Sequence, residues 1–112
     1  MKDSTVMRKV RAAVKAAKKD GAEIVLWLYC CKTDCCVVGA CYRPLWKKDN
    51  KISHSFQHGD DFRQLAATAI GASLEQMTMI EAGFHGCIHK EANPSFELYR
   101  FGQHIRKEYV TC

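Results

Sequence analysis

Long hydrophobic runs are missing from this sequence. The most apolar stretch, Ile24 to Tyr29, is far shorter than the roughly 18 residues that a membrane span needs. The residues before Gly21 alternate charge with short apolar steps, which is not the pattern of a signal peptide. We therefore expect a cytoplasmic protein without a membrane partner.

Several catalytic signatures are also missing. The chain has no glycine-rich phosphate loop, no paired-carboxylate motif and no serine-centred elbow between a strand and a helix. Each of these motifs would have indicated a reaction class. Their absence favours binding over catalysis as the function of this protein.

Composition indicates one folded unit with excess positive charge. The chain has 112 residues, of which 47% are hydrophobic, so we expect a single compact domain over 1–112. Lysine and arginine number 17 against 12 acidic residues, which gives a net charge of +5. This excess would assist approach to nucleic acid or to an acidic protein surface.

The N-terminal residues predict a basic helix. Ser4–Lys19 has helical periodicity, with Ser4 as the N-cap and Gly21 beyond the end. The predicted core face consists of Val6, Val10, Ala13, Val14 and Ala17. The candidate binding residues on another face are Arg8, Arg11, Lys15 and Lys19.

The next residues predict an antiparallel β-hairpin over about 23–43. Glu23–Cys31 and Cys35–Arg43 are rich in β-branched, aromatic and cysteine residues, and the short polar connection Lys32–Asp34 separates them. Pro44 would end the second strand. A third strand at about 52–58 is an open alternative. The alternate residues there are apolar residues and histidines, which would share one face of a strand.

Two short helices are predicted in the centre of the chain. Asp60 is a suitable N-cap for the first, which Gly71 would end. Ser73 and Gln76 have the spacing of a capping box at the start of the second, which should stop at Gly83. The predicted inner face of the first helix consists of Phe62, Leu65, Ala66, Ala69 and Ile70.

The C-terminal residues are less regular. A strand is predicted at 84–89, and the periodicity of 96–110 favours a terminal helix over a strand. Together these elements predict an α+β fold, in which a small antiparallel sheet packs with a basic N-terminal helix, two short central helices and a C-terminal helix.

A second group of candidate binding residues follows the predicted hairpin. Trp46 lies beside a charged turn, and its ring could stack on an unpaired base or anchor a protein interface. The cations of this turn are Lys47, Lys48 and Lys51.

Seven cysteines raise the question of a metal site. Cys31 and Cys35 have a spacing that is typical of zinc ligands, and Cys87 and His85 lie on the predicted strand at 84–89. These four residues would form a closed, structural Zn²⁺ site, and zinc is the only cofactor that the pattern suggests. The alternative is that the cysteines are free thiols packed in the core.

A cysteine nucleophile is a further alternative. Cys87 is flanked by His85 and His89, with Asp60 or Asp61 to orient an imidazole. On a strand, however, these side chains would stand about 6 to 7 Å apart, which is too far for direct proton transfer.

The segment from Leu65 to Gly83 contains a Leu-Ala pair, a glycine turn at Gly71, a capping serine at Ser73 and an Ile-Glu-Ala-Gly ending. It resembles the helix-turn-helix of the phage-repressor family, with one extra residue before the glycine. The resemblance implies that the start of the second helix reads the major groove, with Arg63 among the phosphate contacts. The implied base-reading residues are Ser73, Glu75, Gln76 and Thr78. The alternative is a pair of amphipathic helices packed on a sheet.

These observations lead to three functional hypotheses. The first is a small, non-catalytic, basic protein that binds nucleic acid or a nucleic-acid-processing protein. The second is a regulator or inhibitor of a larger complex that makes no contact with nucleic acid. The third is a cysteine-dependent or zinc-dependent enzyme.

Overall fold

Five helices and one short pair of strands make up the part of the chain that the structure describes. The structure is a computed structural model, and it describes residues 2–26, 34–48, 59–86 and 96–110. The elements are α1 (Asp3–Lys19), β1 (Glu23–Ile24), β2 (Asp34–Cys35), α2 (Val37–Lys48), α3 (Gly59–Ile70), α4 (Leu74–His85) and α5 (Phe96–Tyr109).

The α+β prediction with an antiparallel sheet is wrong. The protein is mostly helical, and the strands described are two residues long and parallel, with Glu23 opposite Asp34 and Ile24 opposite Cys35. Parallel strands cannot be joined by the tight turn of a hairpin, so the predicted Lys32–Asp34 connection fails with the sheet. The option of a third strand at about 52–58 lies outside the described residues.

Helix α1 confirms the predicted N-terminal helix and its core face except for Ala13, which is only partly buried. Four small or β-branched side chains at positions 6, 10, 14 and 17 are buried, which follows the helical period. The predicted N-cap is wrong, because the helix begins at Asp3 and Lys2 holds the cap position without a side-chain hydrogen bond. Gly21 follows the helix with a φ of 93°, a conformation that glycine adopts without steric cost.

Helix α2 replaces the predicted second strand. Every residue from Cys35 to Arg43 is buried, so the first half of the helix has protein around it, whereas Pro44 and Leu45 in its second half are exposed. The valines and cysteines of such a run read as a buried strand. Pro44 lies inside this helix and does not end a strand, although it has no N–H to donate to the carbonyl of Ala40.

The two central helices confirm the prediction, with corrections at their ends. Helix α3 begins one residue before Asp60, and its buried side chains include Phe62 and Ala66, whereas Leu65 and Ala69 of the predicted inner face are exposed. The capping box is present: Gln76 N donates to Ser73 Oγ at 3.1 Å, and Ser73 N donates to Gln76 Oε1 at 3.0 Å.

Helix α4 runs past the predicted stop at Gly83. It continues to His85 and ends at Gly86, which has a φ of 77° and donates its N–H back into the last turn. Residues 84 and 85 of the predicted strand at 84–89 are therefore helical, and residues 87–89 lie outside the described part. The terminal helix predicted over 96–110 is confirmed as α5.

The core is built where α4 and α5 cross and where α1 and α2 pack beside them. Tyr42 of α2 meets Phe62 of α3 edge to face, with ring centroids 4.8 Å apart. The largest buried side chains of α4 and α5 are Met77, Ile80, Phe84, Leu98 and Ile105. In the described part of the chain, no helix is long and apolar enough to span a membrane.

Candidate functional site

The solvent side of α1 carries a row of cations directly opposite its buried face. Arg8, Lys15 and Lys19 are exposed, and in a helix with about 100° between residues they point away from the valines at 6, 10 and 14. We call these three residues the α1 row. Because the valines fix the helix to the core, the row is held in place by packing.

Helix α1 also contains the whole excess of positive charge. Six of its residues are lysine or arginine and one is acidic, so the helix carries a net charge of +5. The complete chain has the same net charge, which means that the other residues sum to zero. The positive field of the protein is therefore concentrated on one helix.

Arg11, a predicted member of this surface, is used differently. Its Nη1 donates to Glu108 Oε2 of α5 at 2.6 Å, and its guanidinium carbon lies 5.5 Å from the ring centroid of Phe101. The hydrogen bond to Glu108 raises the pKa of Arg11, so the guanidinium stays charged. Arg11 therefore joins α1 to α5, and its charge is largely neutralised within the protein.

Helix α5 presents a second row of basic residues that the sequence analysis missed. Arg100, His104 and Lys107 are exposed and spaced four and three residues apart, so they share one side of the helix. We call them the α5 row. The spacing was readable in the sequence once 96–110 was taken as a helix, but nothing there indicated which helix α5 lies against.

The candidate binding residues at Trp46 and just after it have a helical backbone, where the sequence predicted a charged turn. Trp46, Lys47 and Lys48 form the end of α2, whereas Lys51 lies outside the described residues. The prediction of a charged turn over 47–51 is therefore wrong for its first two residues.

The described cysteines are enclosed by the core. Cys35, Cys36 and Cys41 are buried free thiols. Cys36 precedes α2 and accepts a hydrogen bond from Gly39 N at 3.4 Å, an arrangement that would favour a thiolate. Burial outweighs it and raises the pKa of Cys36, and burial likewise raises the pKa of Cys41 to about 12.

The predicted zinc ligands are only partly described. Cys35 is fully buried and His85 is half-buried, whereas Cys31 and Cys87 lie outside the described residues. Among residues 2–26, 34–48, 59–86 and 96–110, no three histidine, cysteine or acidic side chains are grouped as metal ligands would be. Burial, and then the charges of Arg106 and Arg63, lower the pKa of His85.

Three of the four residues that would read bases in a helix-turn-helix make hydrogen bonds within the protein. Ser73 and Gln76 bond to each other in the capping box, and Gln76 Nε2 also donates to Asp3 Oδ1 at 3.0 Å. Thr78 Oγ1 donates to the Leu74 carbonyl at 2.7 Å. Of the four, Glu75 is the exposed one whose side chain enters no described hydrogen bond, and its carboxylate would repel phosphate. Arg63 lies 3.4 Å from Glu81.

An apolar groove runs between α1 and α2 on the side of α1 away from α5. It encloses about 280 Å³ and is lined mainly by Ala13, Ala16, Ala17, Ala40 and Pro44. Arg43 lies at its end with 5% of its surface exposed, and its Nε and Nη2 donate to Asp20 Oδ2 at 3.3 and 3.2 Å. Asp20 and Arg43 are the polar residues of its lining, and they are paired with each other.

Comparisons with protein-family models, with curated proteins and with solved structures find no match to this chain. Functional inference therefore depends on the surfaces described above.

Proposed function

We propose that the protein is a non-catalytic binding protein that associates with nucleic acid through the α1 row. The observation that carries this proposal is the coincidence of charge and position. A single helix holds the entire net charge of the chain, and three of its cations stand opposite the side that is fixed to the core.

The geometry of the α1 row suits a polyanion. Arg8 and Lys15 are separated by about 10 Å along the helix axis, and Lys15 and Lys19 by about 6 Å, at 1.5 Å per residue. Cations repeated over this length can contact several phosphates at once and release the counterions bound there. Such binding is weakened strongly by salt, which gives the proposal a clear experimental signature.

The described thiols support binding over catalysis. A cysteine nucleophile acts as the thiolate, and burial keeps Cys36 and Cys41 in the protonated form at neutral pH. Cys35 is likewise buried away from solvent, so the enzyme hypothesis would depend on Cys30, Cys31, Cys87 or Cys112, which lie outside the described residues.

A protein partner is the second candidate, and the groove between α1 and α2 favours it. Alanine side chains and Pro44 line that groove next to the exposed side of α1. An acidic partner with a small apolar side chain could cover both surfaces, as the regulator hypothesis requires. We rank a protein partner second because the groove does not indicate a class of partner as specifically as the charge on α1 indicates a polyanion.

The proposal is tested by binding of labelled DNA, single-stranded and duplex, followed by fluorescence anisotropy between 25 and 200 mM salt. The variant K15A/K19A should bind about tenfold more weakly at low salt, and the slope of log affinity against log salt should become shallower by about 2. Circular dichroism would confirm that the variant is folded.

The matched control is K2A/K9A. It removes the same charge from exposed lysines in and just before α1, but these lie far around the helix from the α1 row. Long-range attraction predicts equal losses for the two variants, whereas direct contact predicts a clearly larger loss for K15A/K19A. No binding at 25 mM salt of either DNA, or of single-stranded and duplex RNA of the same sequence, would overturn the proposal and leave the protein-partner candidate.

A further inference from the structure

We propose that the nucleic acid is double-stranded and that the α5 row contacts it together with the α1 row. This inference depends on the proposed function and names its substrate class. It also assigns Arg100, His104 and Lys107 to binding, although they are far from α1 in the sequence.

The contact between Arg11 and Glu108 joins α1 to α5 beside both rows. Around α1, the three α1-row residues lie within about 80° of Arg11 and are exposed. Around α5, the three α5-row residues lie within about 100° of Glu108 and are also exposed. Because Arg11 and Glu108 touch, both rows flank the same junction.

The separation of the rows fits two strands. Helices in contact have axes about 8–10 Å apart, so cations that extend outward from α1 and α5 form two lines separated by at least that distance. The grooves of B-form DNA are about 6 and 12 Å wide. Two lines of basic side chains on a fixed pair of helices can therefore contact phosphates on both sides of a groove.

The same surface lacks what a single-strand binder uses. Proteins that hold unpaired bases stack them on aromatic rings within a basic channel. The sequence of α1 contains no aromatic residue, and the exposed side chains described on α5 include no phenylalanine, tyrosine or tryptophan. Phosphates, which a duplex presents in two lines, are the feature that this surface can recognise.

Glu108 should weaken the binding of nucleic acid to this surface. It stands at the junction between the two rows, where its negative charge would oppose phosphate, and its contact with Arg11 offsets that charge. Replacing Glu108 by glutamine removes the negative charge and releases Arg11 toward the ligand. The variant E108Q should therefore bind the duplex about threefold more tightly, with a steeper salt dependence.

The experiment measures the affinities of the full chain for a 24-base-pair DNA duplex, for the RNA duplex of the same sequence, and for one strand of each. We expect at least one duplex to bind about tenfold more tightly than its own single strand, and the two duplex arms identify which nucleic acid it is. R100A/K107A should weaken duplex binding about tenfold, whereas K2A/K9A should have a smaller effect.

The control for E108Q is E97Q, which removes an exposed carboxylate from the first turn of the same helix. It should change affinity less than E108Q, since Arg11 remains paired. Single strands bound as tightly as duplexes, or full duplex affinity in R100A/K107A, would overturn this inference, while salt-dependent binding lost in K15A/K19A would still support the proposed function. No binding in any arm would reject both.

Discussion

Gly83 of α4 and Tyr99 of α5 approach each other through their backbones, so that a Cβ atom on Gly83 would overlap the carbonyl oxygen of Tyr99. A second contact of the same kind lies nearby, where a Cβ on Gly102 would overlap the carbonyl oxygen of Ile80. Each helix thus contributes one glycine to the crossing. The pair brings α4 and α5 closer than larger residues would allow, and it sets the position of the α5 row.

Replacing either glycine by alanine should destabilise the protein. Alanine improves helix propensity by about 1 kcal/mol, but the added methyl group meets backbone atoms that cannot rotate away. We expect G83A and G102A each to lower the free energy of unfolding by about 2–3 kcal/mol net, measured by urea denaturation.

The control for these variants is G21A. Gly21 has open space around its Cβ position and a φ of 93°, so alanine there meets backbone strain without a clash. A cost of about 1 kcal/mol is expected. Wild-type stability in G83A would show that the helices do not cross as closely as described.

The buried thiols should be unreactive until the protein unfolds. With a pKa of about 12, Cys41 is almost entirely protonated at pH 8, and Cys36 is protonated for the same reason. We expect iodoacetamide at pH 8 to label neither residue within an hour in the folded protein and to label both in 6 M guanidinium, as shown by peptide mass spectrometry. Rapid labelling of either cysteine in the folded state would contradict the expected lack of reactivity and would support the enzyme hypothesis.

His85 should make stability fall as the solution becomes acidic. Its pKa is lowered in the folded state, mainly by burial and further by Arg106 and Arg63, whereas the unfolded chain has an ordinary histidine pKa near 6.5. Below about pH 6.5 the unfolded state therefore takes up more protons than the folded state, and folding is disfavoured. At pH 7.5 both states are neutral, and the effect vanishes.

The test compares urea denaturation of the wild type and of H85Q at pH 7.5 and 5.5. The wild type should lose more stability than H85Q over this interval, because the variant has no imidazole to protonate. Equal losses in the two proteins would show that the surroundings of His85 do not disfavour its charge.

Helices with one polar face were predictable from the sequence. The valines of α1 recur at the helical period, and the Ser73–Gln76 capping box marks the start of α4 at the correct residue. Helix α2 was not predictable in the same way, because its residues 37–42 are apolar or small and all buried, so this half of the helix shows no polar face. Its valines and cysteines then favour a strand by local propensity, and tertiary packing overrides that preference.

The candidate surface was predictable only in part. Arg8, Lys15 and Lys19 follow from the helical pattern of α1, since cations on one face and valines on the other show which side meets solvent. The role of Arg11 could not be read in this way, because its partner Glu108 is 97 residues away in the sequence. The α5 row required the same knowledge of which helices are neighbours.

The concentration of charge on α1 has a consequence for the speed of binding. With the rest of the chain neutral in sum and α1 at the surface, the excess positive charge that attracts a polyanion is on this helix. In the field of a polyanion the molecule rotates while it diffuses, so that α1 leads in a large share of encounters. The orientational search that normally slows association is thereby shortened, and the association rate should decrease with ionic strength.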